Sequence, residues 1–223
     1  MEGIMFRDIY QELGTVVSLS KWWPADHPFA IGVGAVLTQN TSWVNVEKAI
    51  RGLQLAGLSS PEQILHADPK DLMAVIRPAG FMRAKSSYLQ NWAEWWLYDH
   101  KQAEQVETSR LRKSLLSMPG IGPETADVIL LYIYSRPVFI WDKYARRLMV
   151  ALGYEMPTTY EKARSKYGQS EELKTFSVDE LERFHGLIVD GAKQAKLVGG
   201  WEYFLPSLKA DSNQRDISFS KRV

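Results

Sequence analysis

The chain has 223 residues, 45% of them hydrophobic, so it is long enough to bury a core without help from disulfides or metals. It contains no cysteine, which excludes a disulfide framework, a thiolate zinc site, an iron–sulfur cluster and a cysteine nucleophile. With 27 basic and 26 acidic residues its net charge is only +1, which argues against coating nucleic acid through bulk charge and leaves a local basic face open.

The N-terminal sequence MEGIMFRDIY carries charged residues where a signal peptide needs an apolar core. No apolar run approaches the roughly 20 residues that a membrane span needs. We therefore expect an intracellular, cytoplasmic protein with no membrane partner.

Apolar residues recur at spacings of three and four along most of the chain, which predicts an all-α fold. Ser60 is expected to cap a helix that begins at Pro61. Alternation typical of a β-strand is scarce, and its best example, residues 137–141, is short. The clearest helical stretches are residues 6–19, 43–57, 60–76 and 84–100. The last of these carries Trp92, Trp95 and Trp96 on an apolar stripe, where we expect core packing.

The most specific segment is LLSMPGIGPETAD, residues 115–127. An apolar helix end runs into Gly120 and Gly122, and Pro123 stands where the next helix would begin. Glycine lets the backbone turn tightly and approach a ligand closely. The free N–H groups at a helix start bind anions, such as a DNA phosphate, without any base contact. The alternative is an ordinary tight turn between two helices.

This segment resembles the hairpin of the helix-hairpin-helix (HhH-GPD) DNA glycosylases, the superfamily of endonuclease III, the adenine mismatch glycosylases and the alkyl-base glycosylases. In that superfamily an aspartate follows the second hairpin helix, and here Asp142 lies 20 residues after Gly122, within SRPVFIWDKYARRL. Residues 35–41 (AVLTQNT) resemble the family's early helix and DNA-probing glutamine loop. Residues 77–85 (RPAGFMRAK) resemble its Gly-Phe turn.

The resemblance implies a two-lobe fold: a six-helix barrel at residues 30–136 that contains the hairpin, and a second helical lobe formed by residues 1–29 and 137–223. Its implied partner is double-stranded DNA with a damaged base, which would bring the protein to the nucleoid, and we expect a monomer. No organic cofactor is implied, although a potassium or sodium ion is expected at the backbone carbonyls of Met118–Gly122. The residues expected to contact DNA are Gln39, Asn40, Pro119, Gly120, Ile121, Gly122, Thr125 and Lys143.

Two departures from the superfamily pattern indicate which kind of glycosylase the chain resembles. Bifunctional members carry, in the second hairpin helix, a lysine that attacks the sugar and forms a Schiff base, and this chain has Glu124 there. The four-cysteine cluster of endonuclease III cannot form without cysteines. The remaining resemblance is to the small, cluster-free 3-methyladenine glycosylases, and it rests on KWWP at 21–24, QNT at 39–41, WDKY at 141–144 and FHG at 184–186.

Asp142 suits the chemistry, because breaking an N-glycosidic bond builds positive charge on the sugar and a fixed carboxylate stabilises that charge. A helix N-cap is the compatible alternative for this aspartate.

The base must leave the duplex to be reached, and stacked aromatic rings suit a flipped, cationic purine. We expect Trp22, Trp23 and Pro24 to form this pocket, with core packing as the alternative for either tryptophan. Lys193 is a further pocket candidate, a surface lysine being its alternative. His185 has no obvious partner and is expected to be structural.

The sequence therefore predicts a monofunctional glycosylase that releases an alkylated purine such as 3-methyladenine. Two alternatives stay open: a glycosylase for an oxidised or mismatched base, and a non-catalytic helix-hairpin-helix module that only binds phosphates.

Overall fold

The structure is a computed structural model that describes residues 5–19 and 27–205. Within those ranges the chain forms helices and no strand, so the all-α prediction is confirmed. None of the described helices combines the length and the apolar character needed to cross a membrane. Contacts within the chain define two units. We call residues 27–136 the hairpin unit, and residues 5–19 with 137–205 the Asp142 unit.

The described helices are, in chain order, α1 (Phe6–Val16), α2 (Pro28–Leu37), α3 (Trp43–Leu55), α4 (Pro61–Leu65), α5 (Pro69–Val75), α6 (Met82–Tyr98), α7 (His100–Ala103), α8 (Thr108–Ser117), α9 (Pro123–Tyr132), α10 (Lys143–Ala151), α11 (Tyr160–Tyr167), α12 (Val178–Leu197) and α13 (Trp201–Phe204). Short 3-10 turns lie at Arg77–Ala79 and Leu173–Thr175. The hairpin unit contains α2 to α9, and the Asp142 unit contains α1 and α10 to α13.

Capping side chains and prolines decide where these helices begin. The Ser60 hydroxyl accepts a hydrogen bond from the Gln63 amide, and the Gln63 side chain accepts one from the Ser60 amide. This capping box confirms the predicted start of α4. The helical stretch at residues 60–76 is broken in two, because Asp68 caps a new helix that starts at Pro69.

The core of the hairpin unit forms where α2 packs against α6 and α9. Trp92 is fully buried, and its indole N–H donates to the Phe29 carbonyl at 3.1 Å. A Cβ atom at Gly32 would lie 2.2 Å from the Trp92 ring, so a glycine is needed for this close approach. Trp95 is also buried, as predicted, whereas Trp96 is only half-buried.

An aromatic cluster forms the core of the Asp142 unit. The Phe139 ring centroid lies 5.5 Å from that of Phe6, 4.6 Å from that of Trp141 and 5.3 Å from that of Phe184. Residues 137–141 therefore carry aromatic side chains into a core without regular secondary structure, and they pair with no strand in the described chain. Their β-type composition reflects burial rather than a sheet.

Candidate functional site

The hairpin connects α8 to α9 through a tight turn in which the Ile121 amide donates to the Met118 carbonyl at 3.1 Å. Gly120 has a φ of +97°, a conformation that strains any residue with a Cβ atom. A Cβ atom there would also lie 2.2 Å from Tyr88 Cγ. Two independent features therefore require the predicted glycine at this position: the backbone angle and the neighbouring ring.

Three contacts hold the hairpin in place. The Gln39 side-chain amide donates to the Gly120 carbonyl at 2.9 Å and to the Thr125 hydroxyl at 3.1 Å. The Asn91 amide donates to the Pro119 carbonyl at 3.1 Å. A third contact, the ion pair between Arg112 on α8 and the fully buried Asp127 on α9, has its shortest separation at 2.7 Å and fixes the two helices relative to each other.

The start of α9 offers backbone amides to an anion. Within the described chain, the N–H groups of Gly122 and Thr125 have no hydrogen-bond acceptor. Gly122 has an ordinary φ of −85°, and a Cβ atom on it would meet no atom within 4 Å, so the space in front of it is open. Because the side chains of Ile121 and Thr125 are buried, any DNA contact from these two residues would come from the backbone.

Lys85, which sequence reasoning missed, ties the glutamine loop to the Gly-Phe turn. It is only 2% exposed, and its ammonium donates to the carbonyls of Leu37 and Ala79, each at 2.8 Å. Burial lowers the pKa of this amine below its ordinary value. Beyond the two anchored segments lie Asn40 and Phe81, both exposed and both with a positive φ, of 54° and 48°.

The backbone carbonyls of the hairpin are the expected ligands of a monovalent cation. The carbonyl oxygens of Met118, Pro119 and Gly120 each accept a hydrogen bond from within the unit. A carbonyl oxygen has two lone pairs, so each retains one for a potassium or sodium ion. The backbone is therefore compatible with this ion, which stays a prediction. Among the described residues, no group of three or more histidines and carboxylates could hold a metal.

Asp142 caps α10 in the Asp142 unit. The carboxylate is 5% exposed, and its Oδ1 accepts a hydrogen bond from the Ala145 amide at 2.7 Å. Arg146, one turn into the helix, donates from Nε to the backbone carbonyls of Trp141 at 3.1 Å and Asp142 at 3.2 Å. The predicted capping role is thus present, and it fixes the position of the carboxylate.

His185, expected from sequence to be structural, faces this carboxylate from α12. Its Nε2 lies 3.9 Å from Asp142 Oδ2, and the histidine is 7% exposed. Burial lowers the pKa of the imidazole to about 3, so the ring is neutral near pH 7. The sequence signal for this neighbour is the FHG string at 184–186. The exposed Lys143 stands at the start of α10, with its ammonium 5.2 Å from the centroid of the Tyr144 ring.

The candidates for the base pocket are only partly covered by the structure. Lys193 lies on α12 with a side chain that is 55% exposed, and its ammonium is 2.7 Å from the buried Asp190 carboxylate. Trp22, Trp23 and Pro24 lie outside the described residues.

Similarity to known proteins covers most of the chain. Residues 33–172 match the HhH-GPD superfamily of base excision DNA repair proteins. A protein of Methanocaldococcus jannaschii named as a DNA repair glycosylase is 37% identical over 199 residues, which are 85% of this chain and 88% of that protein. The endonuclease III of Sulfolobus acidocaldarius is 31% identical over 169 residues, 75% of this chain and 74% of the relative.

Solved structures agree with the sequence matches. The 3-methyladenine DNA glycosylase of H. pylori, solved with 1,N6-ethenoadenine, is 28% identical, covers 86% of this chain and 98% of its own, and gives a TM-score of 0.72. An endonuclease III–DNA complex shares the fold at 17% identity, with a TM-score of 0.68 and coverage of 95% of this chain and 99% of its own. The chain therefore belongs to the HhH-GPD superfamily of base excision DNA repair proteins and is a DNA glycosylase.

Proposed function

We propose that this glycosylase is monofunctional and hydrolyses the bond between deoxyribose and an alkylated purine, with Asp142 as its catalytic carboxylate. The observation that carries the proposal is the geometry of Asp142: a buried carboxylate held by the α10 cap and neighboured by a neutral imidazole. A charge held in this way needs no reorganisation as the transition state forms, which is how fixed electrostatics accelerate a reaction.

The reaction balances without a cofactor. The bond between sugar C1′ and the purine nitrogen breaks, and its electron pair stays with the base. The Asp142 carboxylate stabilises the positive charge that develops on the sugar. A water oxygen then bonds to C1′ and its proton passes to the carboxylate or to solvent, which leaves an abasic site.

Hydrolysis rather than strand cleavage is supported by Glu124. It is exposed in the first turn of α9, at the position where bifunctional members carry the lysine that attacks the sugar. A carboxylate cannot form a Schiff base with C1′.

An alkylated purine is supported by the likeness to the H. pylori 3-methyladenine glycosylase and by the KWWP string at 21–24. Alkylation at a ring nitrogen makes the purine a cation, which leaves with little help from an acid. One carboxylate is then sufficient for the chemistry. The indoles of Trp22 and Trp23 would attract the cationic base through their faces.

The test is release of bases from duplex DNA that carries 3-methyladenine, from DNA with a neutral oxidised base and from undamaged DNA. We expect release of the methylated purine and an intact strand that breaks only after alkali. Borohydride added during turnover should trap no protein–DNA adduct. Release of only the oxidised base would favour an endonuclease III activity, for which the 31% identical Sulfolobus relative gives precedent. DNA binding without release would indicate a non-catalytic module.

A further inference from the structure

We propose that His185 is a positioning residue for the catalytic step: its imidazole N–H orients Asp142 Oδ2 toward the sugar. The proposal rests on the function proposed above, and it assigns a reaction role to a histidine that the sequence predicted to be structural.

The geometry gives each carboxylate oxygen a separate neighbour. Oδ1 accepts the Ala145 amide at 2.7 Å, whereas Oδ2 lies 3.9 Å from His185 Nε2. α10 and α12 pack against each other, so the two side chains face each other across a helix–helix interface. With both residues less than one-tenth exposed, water competes little for this contact.

The separation of 3.9 Å is about 1 Å longer than an N–H···O hydrogen bond. Because the cap holds the Asp142 carboxylate, a movement of the imidazole is what would shorten this separation. Hydrogen bonds in active sites are often long without substrate and tighten when it binds. A sugar that gains positive charge next to Asp142 would favour the shorter distance, because the hydrogen bond from His185 would hold the carboxylate in one orientation.

An uncharged donor is well suited to this position. A lysine or arginine would neutralise Asp142 and cancel the field on which the chemistry depends, whereas a neutral imidazole orients the carboxylate and leaves its charge intact. The two cations in the first turn of α10 next to Asp142 are directed elsewhere: Arg146 donates to backbone carbonyls, and Lys143 is exposed beside the Tyr144 ring. Burial keeps the pKa of His185 near 3, so the ring stays neutral at working pH.

Two substitutions separate the role of Nε2 from the role of ring volume. In His185→Gln the side-chain amide nitrogen reaches the place of Nε2, and in His185→Asn it reaches only the place of Nδ1. The measurement is single-turnover release of 3-methyladenine, with affinity for DNA that carries an uncleavable abasic-site analogue as the binding control. We expect His185→Asn to lower the rate constant about 10- to 100-fold with little change in affinity. His185→Gln should restore most of that rate.

A second measurement does not depend on either variant folding. Nitrogen-15 NMR of the parent protein bound to the same DNA analogue reports which imidazole nitrogen carries the proton. We expect protonation at Nε2, with its proton shifted downfield by the carboxylate. A proton on Nδ1 alone would overturn the proposal. A parental rate constant in His185→Asn would do the same. So would equal reductions of the rate constant in His185→Asn and His185→Gln that parallel reductions of their melting temperatures. If the parent protein releases no base, the proposed function fails. The tautomer then still shows whether the N–H of His185 donates to Asp142.

Discussion

The carboxylate of Asp142 caps α10, and we propose that the same group also stabilises the charge that develops during base release. The cap engages Asp142 Oδ1, and His185 stands near Oδ2. The amino end of a helix favours negative charge, so capping stabilises the ionised form that the chemistry requires. The cap is therefore present, and it is compatible with the catalytic role proposed for the same residue, as the sequence predicted.

Trp22 and Trp23 are the residues that we expect to stack on the flipped base. If Trp22 and Trp23 stack on a cationic purine, replacing either with alanine removes about 1–2 kcal/mol of cation–π attraction. We expect Trp22→Ala or Trp23→Ala to weaken excision of 3-methyladenine about tenfold or more, with a smaller effect on a neutral lesion. Excision rates on the two substrates, measured side by side, check this. Unchanged rates in both variants would return these residues to core packing.

Asp142 and the hairpin could be proposed from the sequence because each lies in a local pattern of specific residues. The sequence assigned Lys85 no role of its own, and His185 was expected to be structural, because the contacts of both side chains form only in the folded chain. Lys85 is identified by two carbonyls that only folding brings to it, and His185 by a carboxylate on a different helix. A lysine or histidine alone is usually a surface or structural residue, so its role follows from tertiary contacts.

The hairpin gives a prediction at the scale of an element. Gly122→Ala adds a methyl group into open space where a phosphate would approach, without backbone strain. We expect an unchanged melting temperature and about tenfold weaker binding to damaged and undamaged duplex alike, because phosphate contacts carry no sequence information. Affinity for the two duplexes, measured by fluorescence anisotropy, tests this.

Gly120→Ala is the matched comparison. Its Cβ atom would clash with Tyr88, and its φ of +97° is strained for alanine, so this variant should lose thermal stability as well as binding. If Gly122→Ala weakened binding to damaged DNA alone, this glycine would lie at the base pocket instead.

The residues at which helices begin could be predicted from the sequence, whereas the break within the helical stretch at residues 60–76 could not. Ser60 with Pro61, and Pro123 after the glycines, mark starts through local chemistry, and α4 and α9 begin there. The break at Asp68 was missed because the apolar spacing continues across it. Residues 137–141 have a β-type composition because their aromatic rings enter a core.

Stability of the whole molecule should depend on pH through His185. Its pKa is near 6.5 when unfolded and about 3 when folded. The unfolded chain therefore binds a proton that the folded protein excludes, so this contribution to stability is complete above about pH 6.5 and is lost as the pH falls toward 3. Between about pH 7 and about pH 5, the free energy of unfolding should fall in both proteins. We expect this fall to be about 2 kcal/mol smaller in His185→Gln than in the parent protein.

Urea unfolding at each pH measures this difference, and the exposed His66 provides a control through His66→Gln. Parallel pH curves for the parent protein and His185→Gln would show that the buried imidazole is not excluding the proton.

We propose that the charge of Asp142 drives base release, and single-turnover excision of 3-methyladenine by Asp142→Asn measures this effect directly. Asparagine keeps the size of the side chain and its capping oxygen but removes the charge. We predict a rate constant lower by at least about 100-fold, with melting temperature and affinity for duplex DNA unchanged. Release of 3-methyladenine by Asp142→Asn at the parental rate would show that Asp142 is not the catalytic carboxylate.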